Sequence, residues 1–187
     1  MPWRAVAAGA CVAFATLAAC AQDFDQARSR IGFELQTRWG QRLEGVFPDF
    51  DGEVEELSDG RHRVRIALRT ATVEIVGHPN YTNFSRGDGF FDAARYPQVS
   101  FLSDPYPVEL LRTGGDLHGV LEMHGVRRRQ VFTIAPAPAD CMRPAHDCDL
   151  RAAGSVRRGD YGINAWQIAV RDRVRFVLRV RLGAEAG

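Results

Sequence analysis

The stretch Arg173-Val-Arg-Phe-Val-Leu-Arg-Val-Arg-Leu182 alternates apolar and charged side chains almost residue by residue. Because successive side chains of a β-strand point to opposite faces, this period of two predicts a strand with one buried face and one solvated face. The segments Arg63–Arg69 and Arg30–Gln36 repeat the pattern. We therefore expect a sheet that carries apolar residues on one face and arginines on the other.

Shorter segments of the same kind fill much of the remaining chain. The further strand candidates are Arg42–Phe47, Val54–Leu57, Val99–Ser103, Val108–Leu111, Leu117–Met123, Gln130–Ala135 and Leu150–Arg157. Ser58-Asp-Gly60 and Thr113-Gly-Gly-Asp116 are typical of hairpin turns between them. Gly77–Pro97 and Pro136–Asp149 lack the period, and we interpret the first as a loop with short helical turns and the second as a long loop. Many short antiparallel strands predict an all-β sandwich or closed barrel, and closure removes exposed strand edges.

The composition describes a globular protein without a strong charge. Of 187 residues, 45% are hydrophobic and 25% are charged, and the formal net charge is +1 although every one of the 24 basic residues is arginine. A chain of this size and hydrophobicity is expected to form one compact domain. The balanced charge argues against a nucleic-acid partner.

The N-terminus has the features of an export signal. Arg4 precedes an apolar, alanine-rich run that ends at Ala19 and is shorter than the roughly 20 residues of a membrane-spanning helix. Leu17-Ala-Ala-Cys20 resembles the lipobox of bacterial lipoproteins, in which the cysteine is acylated and the chain is cut before it. We therefore predict a signal peptide over 1–19, a single domain over 20–187 and a periplasmic protein anchored to the outer membrane through Cys20. The alternative is an ordinary cut that leaves Gln22 first, and a soluble periplasmic or secreted protein.

Cys141 and Cys148 lie in one short segment of the predicted long loop. An exported protein meets an oxidising compartment, so the pair is predicted to form a disulfide. The alternative is a metal site that adds His146, which is disfavoured because structural zinc normally takes four ligands.

No catalytic motif is present in the sequence: it lacks a nucleophile elbow, an HExxH pair, a P-loop and a GxGxxG turn. His118 and His124 share one face of a predicted strand, but about 20 Å of strand separates them, which is too far for one metal ion. We therefore predict that the protein is not an enzyme and holds neither metal nor cofactor.

Five segments resemble a known family, in the order in which that family carries them. They are Ser29-Arg-Ile-Gly-Phe33, Gly45-Val-Phe-Pro-Asp-Phe-Asp-Gly52, Phe90-Phe-Asp-Ala-Ala-Arg-Tyr-Pro-Gln-Val-Ser-Phe101, Gly119-Val-Leu-Glu-Met-His-Gly-Val126 and Gly159-Asp-Tyr-Gly-Ile163. The chain is similar to the YceI-like family of periplasmic polyisoprenoid-binding proteins. That resemblance implies an eight-stranded antiparallel, lipocalin-like β-barrel with short helical turns near one mouth, holding a long isoprenoid such as a quinone tail or a polyprenyl chain.

An eight-stranded barrel is just wide enough either to be filled by its own side chains or to hold one slender ligand. The candidate wall residues are Ile31, Phe33, Leu35, Phe47, Val64, Ile66, Leu68, Phe101, Leu121, Phe132, Phe176 and Leu178. Tyr81, Asn83 and Arg86 are the polar candidates for the mouth. The first functional hypothesis is an isoprenoid carrier or store in the cell envelope; the alternative is a solid barrel that serves as an envelope stress or interaction protein.

Overall fold

The alternating segments pair into one antiparallel sheet of eleven strands in the computed structural model, which describes residues 21–183. The strands are β1 (Ala21–Asp23), β2 (Arg30–Thr37), β3 (Arg42–Val46), β4 (Phe50–Glu56), β5 (His62–Arg69), β6 (Glu74–Ile75), β7 (Gln98–Ser103), β8 (Gly115–Met123), β9 (Val126–Ile134), β10 (Leu150–Arg157) and β11 (Val170–Val180). Two helices, α1 (Pro79–Arg86) and α2 (Leu110–Thr113), and two 3-10 turns, Thr70–Thr72 and Arg158–Tyr161, connect them.

The sheet curls into a barrel because one short stretch of chain connects strands near its two ends. In space the strands follow the order β1-β4-β5-β7-β8-β9-β10-β11-β2-β3-β6. β3 lies near one end of this order and β4 near the other, yet only Phe47–Asp49 separates them along the chain. Phe24 adds a second link, since it forms a bridge with Leu182 and donates its backbone N–H to Gly52 O at 2.7 Å. The predicted all-β barrel is confirmed.

The predicted number of strands, eight, is wrong. Two of the eleven strands, β1 and β6, span three and two residues, too short to show a period in the sequence. The segment predicted as Arg42–Phe47 ends at Val46, and β4 begins at Phe50. Pro48 lies between them and has no N–H to donate, so it stands at the corner where the chain turns from one sheet end to the other.

One predicted hairpin is confirmed and the other is wrong. β4 and β5 pair across the turn at Ser58–Gly60, as expected. Val108–Leu111, however, forms no strand, because the backbone turns helically after Pro107: Leu110 N donates to Pro107 O at 3.0 Å and leads into α2. A proline fixes φ at a value that suits a helical turn and cannot donate to a strand ladder. β8 therefore pairs with β7 and β9.

The two faces of the sheet follow the alternation in the sequence. Apolar side chains of alternate positions fill the interior, while many of the intervening arginines pair with carboxylates of neighbouring strands on the outside, such as Arg30 with Glu44 at 2.9 Å and Arg69 with Asp51 at 2.6 Å. Inside, Phe33 lies directly over Gly45 of β3, where a Cβ atom would overlap its ring. The glycine thus lets a large ring lie flat against the barrel wall.

The predicted disulfide is confirmed. Cys141 and Cys148 are bonded within the loop between β9 and β10, with their Cα atoms 5.9 Å apart. By the loop-entropy argument a bridge of this span contributes about 2–3 kcal/mol to stability. The two sulfurs are bonded to each other, so the alternative of a thiolate metal site with His146 is wrong.

Residues 1–20 lie outside the described part of the chain, and with them Cys20 and the predicted signal peptide. Between residues 21 and 183, the structure contains no helix with the length and hydropathy needed to cross a membrane. Within the same range, no three side chains of His, Cys, Asp or Glu come together in a group that could hold a metal ion.

Candidate functional site

Two apolar cavities lie inside the barrel that residues 21–183 form. The first has a volume of about 70 Å³ and lies among β5, β7, β8 and β11. Among the described residues that line it, none is exposed, and only Ser100 and Tyr106 carry a polar side-chain atom. Burial raises the pKa of the Tyr106 hydroxyl to about 12. The first cavity is therefore a nearly polar-free space lined by buried and half-buried side chains.

The second cavity is larger, about 190 Å³, and reaches the surface. Its inner wall is formed by buried residues such as Phe33, Leu43 and Val174. Its outer wall is formed by α1 and by the loop Gly162–Ala169, and includes the exposed side chains of Trp39, Phe84 and Trp166. A small molecule can therefore enter here without crossing the sheet.

A series of aromatic rings runs through the interior and separates the two cavities. The ring of Phe176 lies 6.2 Å from that of Phe33 and 6.4 Å from that of Phe132, and Phe132 lies 4.8 Å from Phe101. Phe176 lines both cavities. The two spaces are therefore arranged in line, with the Phe176 ring between them.

All twelve predicted wall residues are buried in the interior. Nine of them line the first cavity: Ile31, Val64, Ile66, Leu68, Phe101, Leu121, Phe132, Phe176 and Leu178. Phe33 and Leu35 line the second cavity together with Phe176. Phe47 lines neither, and packs against the rings of Phe33 and Phe91 at 5.7 and 5.5 Å.

The three polar residues predicted for the mouth lie on one helix but do not act together. Tyr81 lines the second cavity. Asn83 is exposed and contributes nothing to either cavity wall. Arg86 also lines neither cavity, because its Nε donates to Val73 O at 2.9 Å and holds the side chain against the barrel rim. The helical period explains the difference, since Tyr81, Phe84 and Ser85 share the face of α1 that meets the cavity.

Arg158 is the charged residue of the second cavity that sequence reasoning missed; two uncharged polar residues, Thr37 and Ser85, also line it. Its side chain is only 3% exposed, and it has no carboxylate within ion-pair distance among residues 21–183. The guanidinium donates from Nη1 to Ile163 O at 3.3 Å and to Ala165 O, and from Nη2 to Val170 O at 3.3 Å. Burial lowers the pKa of this guanidinium. Its Nε has no hydrogen-bond partner among the described residues.

The position of Arg158 follows from its place at the end of β10. Val156 points inward, and the period of two places Arg158 on the same inward side. Its guanidinium lies over the ring of Phe90, 5.6 Å from the ring centroid. Phe90 also lines the second cavity. Through its three carbonyl contacts Arg158 holds the loop Gly162–Ala169, and so it shapes the opening.

Comparisons with solved structures show that this fold is known. BcnA of Burkholderia cenocepacia is 18% identical, with a TM-score of 0.61 over 84% of this chain and 98% of its own. A polyisoprenoid binding domain from Saccharophagus degradans is 14% identical, with a TM-score of 0.62 over 88% of this chain and 99% of its own. A YceI protein of Campylobacter jejuni is 16% identical, with a TM-score of 0.51 over 75% of this chain and 85% of its own.

A search of curated proteins gives no match. The YceI-like domain matches residues 23–182, which is nearly the whole described chain. This match covers all five segments on which the resemblance rests and the strands that line both cavities. The chain belongs to the family of YceI-like domains.

Proposed function

We propose that this protein binds an isoprenoid lipid, of the quinone or polyprenyl type, inside its barrel. The observation that carries the proposal is the pair of apolar cavities in line, of which the second reaches the surface. Membership in the YceI-like family supports it, as does the similar fold of the domain from Saccharophagus degradans that is named for polyisoprenoid binding. The alternative, a barrel that is solid throughout, does not account for two cavities in the interior.

The shape and the apolar lining of the interior suit a slender apolar chain. Burial of apolar surface stabilises a ligand by about 25 cal/mol per Å². A protein cavity of about 150 Å³ is known to hold a benzene molecule, so the second cavity, at about 190 Å³, has room for a ring or for the first units of an isoprenoid chain. A longer chain reaches the first cavity when the Phe176 ring turns aside.

The polar end of the ligand is proposed to lie in the second cavity. Arg158 is the residue there whose Nε donor is left without a partner, whereas the Ser85 hydroxyl already donates to Thr82 O at 2.8 Å. A carbonyl or anionic oxygen of a head group would satisfy the free N–H. Such an arrangement fits a pocket that is mostly apolar, with a few polar groups to set the orientation.

The cellular setting is also proposed. Residues 1–19 are a signal peptide, Cys20 carries a lipid anchor, and the protein carries or stores its ligand in the periplasm at the outer membrane. We propose a binding protein without catalytic activity, because the site is built mainly of apolar side chains and Arg158 is the one charged residue among the described residues that line it.

The test of the proposal is saturable binding of an isoprenoid quinone to the delipidated protein. The quinone ring quenches tryptophan emission, and Trp39 and Trp166 line the second cavity. A polyprenol does not quench, and it should displace the quinone if the tail supplies the affinity. Failure of both lipids to bind would contradict the proposal.

Val174→Phe is expected to weaken this binding by roughly 5- to 150-fold, because overpacking an interior costs about 1–3 kcal/mol. Val174 lines the second cavity and is buried, so the added ring takes the space of the ligand. Val131→Phe is the matched control, since Val131 lies on the outer face of β9 and is 40% exposed. Equal affinity of the two variants would show that the ligand binds elsewhere.

A further inference from the structure

Exposed apolar side chains surround the opening of the second cavity. Trp39, Phe84 and Trp166 line the cavity and are nevertheless 68%, 54% and 52% exposed, and Ile168 of the same loop as Trp166 is 88% exposed. We call these four residues the apolar rim. Single exposed apolar residues are ordinary, but a cluster beside a cavity marks an interaction surface.

The backbone holds part of this rim outward. Trp166 has a φ of 58°, a left-handed conformation that is unusual for a bulky side chain and is found where the surrounding structure enforces it. Two contacts enforce it here: the carbonyl of Trp166 accepts the N–H groups of Ala169 at 2.9 Å and Val170 at 2.8 Å. Arg38 fixes the same loop, donating from its backbone N to Ala169 O and from its Nε to Gln167 O, both at 2.8 Å. The loop therefore presents Trp166 and Ile168 in a defined position.

A basic groove continues from the rim along the outer face of β2 and β11. Its charged lining consists of six arginines and two carboxylates: Arg38, Arg42, Arg157, Arg171, Arg173, Arg175, Glu34 and Asp172. Glu34 pairs with Arg175 at 3.5 Å, and Asp172 accepts the backbone N–H of Gly159 at 2.9 Å.

Five of these arginines keep an unneutralised charge among the described residues. The five, which are exposed and form no ion pair with any described residue, are Arg38, Arg42, Arg157, Arg171 and Arg173. Elsewhere on the outer surface many strand arginines are paired with carboxylates, as Arg129 is with Asp104, although Arg63, Arg128 and Arg151 form no ion pair with a described residue. The groove therefore carries an excess of positive charge directly beside the apolar rim.

We propose that this end of the barrel docks on an anionic bilayer surface, with the rim in the interfacial region and the groove against acidic lipid head groups. Tryptophan is favoured at the boundary between head groups and acyl chains, and arginine is attracted to the negative surface potential. Docking in this orientation places the opening of the second cavity against the membrane. The proposal concerns a surface of the barrel and is independent of any ligand and of an anchor at Cys20.

The test uses the full chain with Trp3→Phe. The sequence has three tryptophans, so Trp39 and Trp166 then supply all of the tryptophan emission. Vesicles contain phosphatidylcholine either alone or mixed with phosphatidylglycerol, and part of the phosphatidylcholine is brominated so that it quenches tryptophans in the interface. We expect a blue shift and quenching with the anionic vesicles, and a loss of both at high salt. Vesicle binding without quenching would show that another segment holds the protein there and would overturn the proposal.

Charge-reversal variants distinguish an effect of the groove from an effect of the overall net charge. Arg171→Glu/Arg173→Glu is expected to lower partitioning into anionic vesicles by roughly five-fold for each arginine removed, about 25-fold in total. Arg63→Glu/Arg151→Glu makes the same change in net charge near the other end of the barrel. Arg63 lies on β5 and Arg151 on β10, and their neighbours in sequence line the first cavity. Equal losses in the two variants would contradict docking through the groove.

Discussion

Phe176→Ala is expected to lower the free energy of unfolding by about 3–5 kcal/mol, the cost of truncating a buried phenylalanine. Phe176 is 3% exposed and lies between the two cavities, so removal of its ring joins them into one longer space. The joined space should favour longer isoprenoid chains over short ones. The measurements are urea unfolding and the ratio of affinities for a long and a short polyprenol.

Phe101→Ala is the control for this prediction. Phe101 is equally buried but lines only the first cavity, so its truncation enlarges that cavity without opening the boundary to the second. Both variants should lose stability, and only Phe176→Ala should change the chain-length preference. An unchanged preference in Phe176→Ala would show that the ring does not separate the two spaces.

Arg158→Met is expected to lower the free energy of unfolding by about 3 kcal/mol or more, because each buried polar group left without a partner costs about 1–3 kcal/mol. The substitution keeps an apolar stem but removes the donors to the carbonyls of Ile163, Ala165 and Val170. The loop Gly162–Ala169 should loosen first. Hydrogen exchange at the amides of Ile163 and Ala169 should therefore accelerate more than the global loss of stability explains.

Arg157→Met is the neighbouring control. Arg157 is exposed and forms no ion pair among residues 21–183, so its loss should change stability by no more than about 0.5 kcal/mol. Arg158→Lys retains a positive charge but not the planar fork that reaches several carbonyls at once. It should therefore recover little of the stability that Arg158→Met loses. If Arg158→Met were as stable as Arg157→Met, the buried arginine would not hold the loop.

The strands could be predicted where one of their faces is buried and the other solvated. β10 has the bounds that the alternation predicts, Leu150–Arg157, and β5 lies within one residue of its predicted range. β1 and β6 could not be predicted, because strands of three and two residues are defined by their partners in space. Val108–Leu111 has strand-like composition, but the chain forms a helical turn there after Pro107.

The site could be predicted for its apolar wall and not for its polar end. The wall follows from a period of two that runs through whole strands. Arg157 and Arg158 are adjacent and chemically identical, and only the direction of β10 distinguishes the exposed one from the buried one. The signal in the sequence is the apolar side chain of Val156, which predicts an inward position and so places Arg158 on the same face. The cavity-facing side of α1 required knowing that the segment is helical.

The most direct test of the central claim is the lipid content of the protein as it is made in a cell. The protein is purified without detergent, extracted with organic solvent and analysed by mass spectrometry. We expect about one isoprenoid lipid per chain, because the two cavities in line offer room for one apolar chain, and a much lower amount in Val174→Phe than in Val131→Phe. An extract without isoprenoid lipid, or with equal amounts in the two variants, would contradict it.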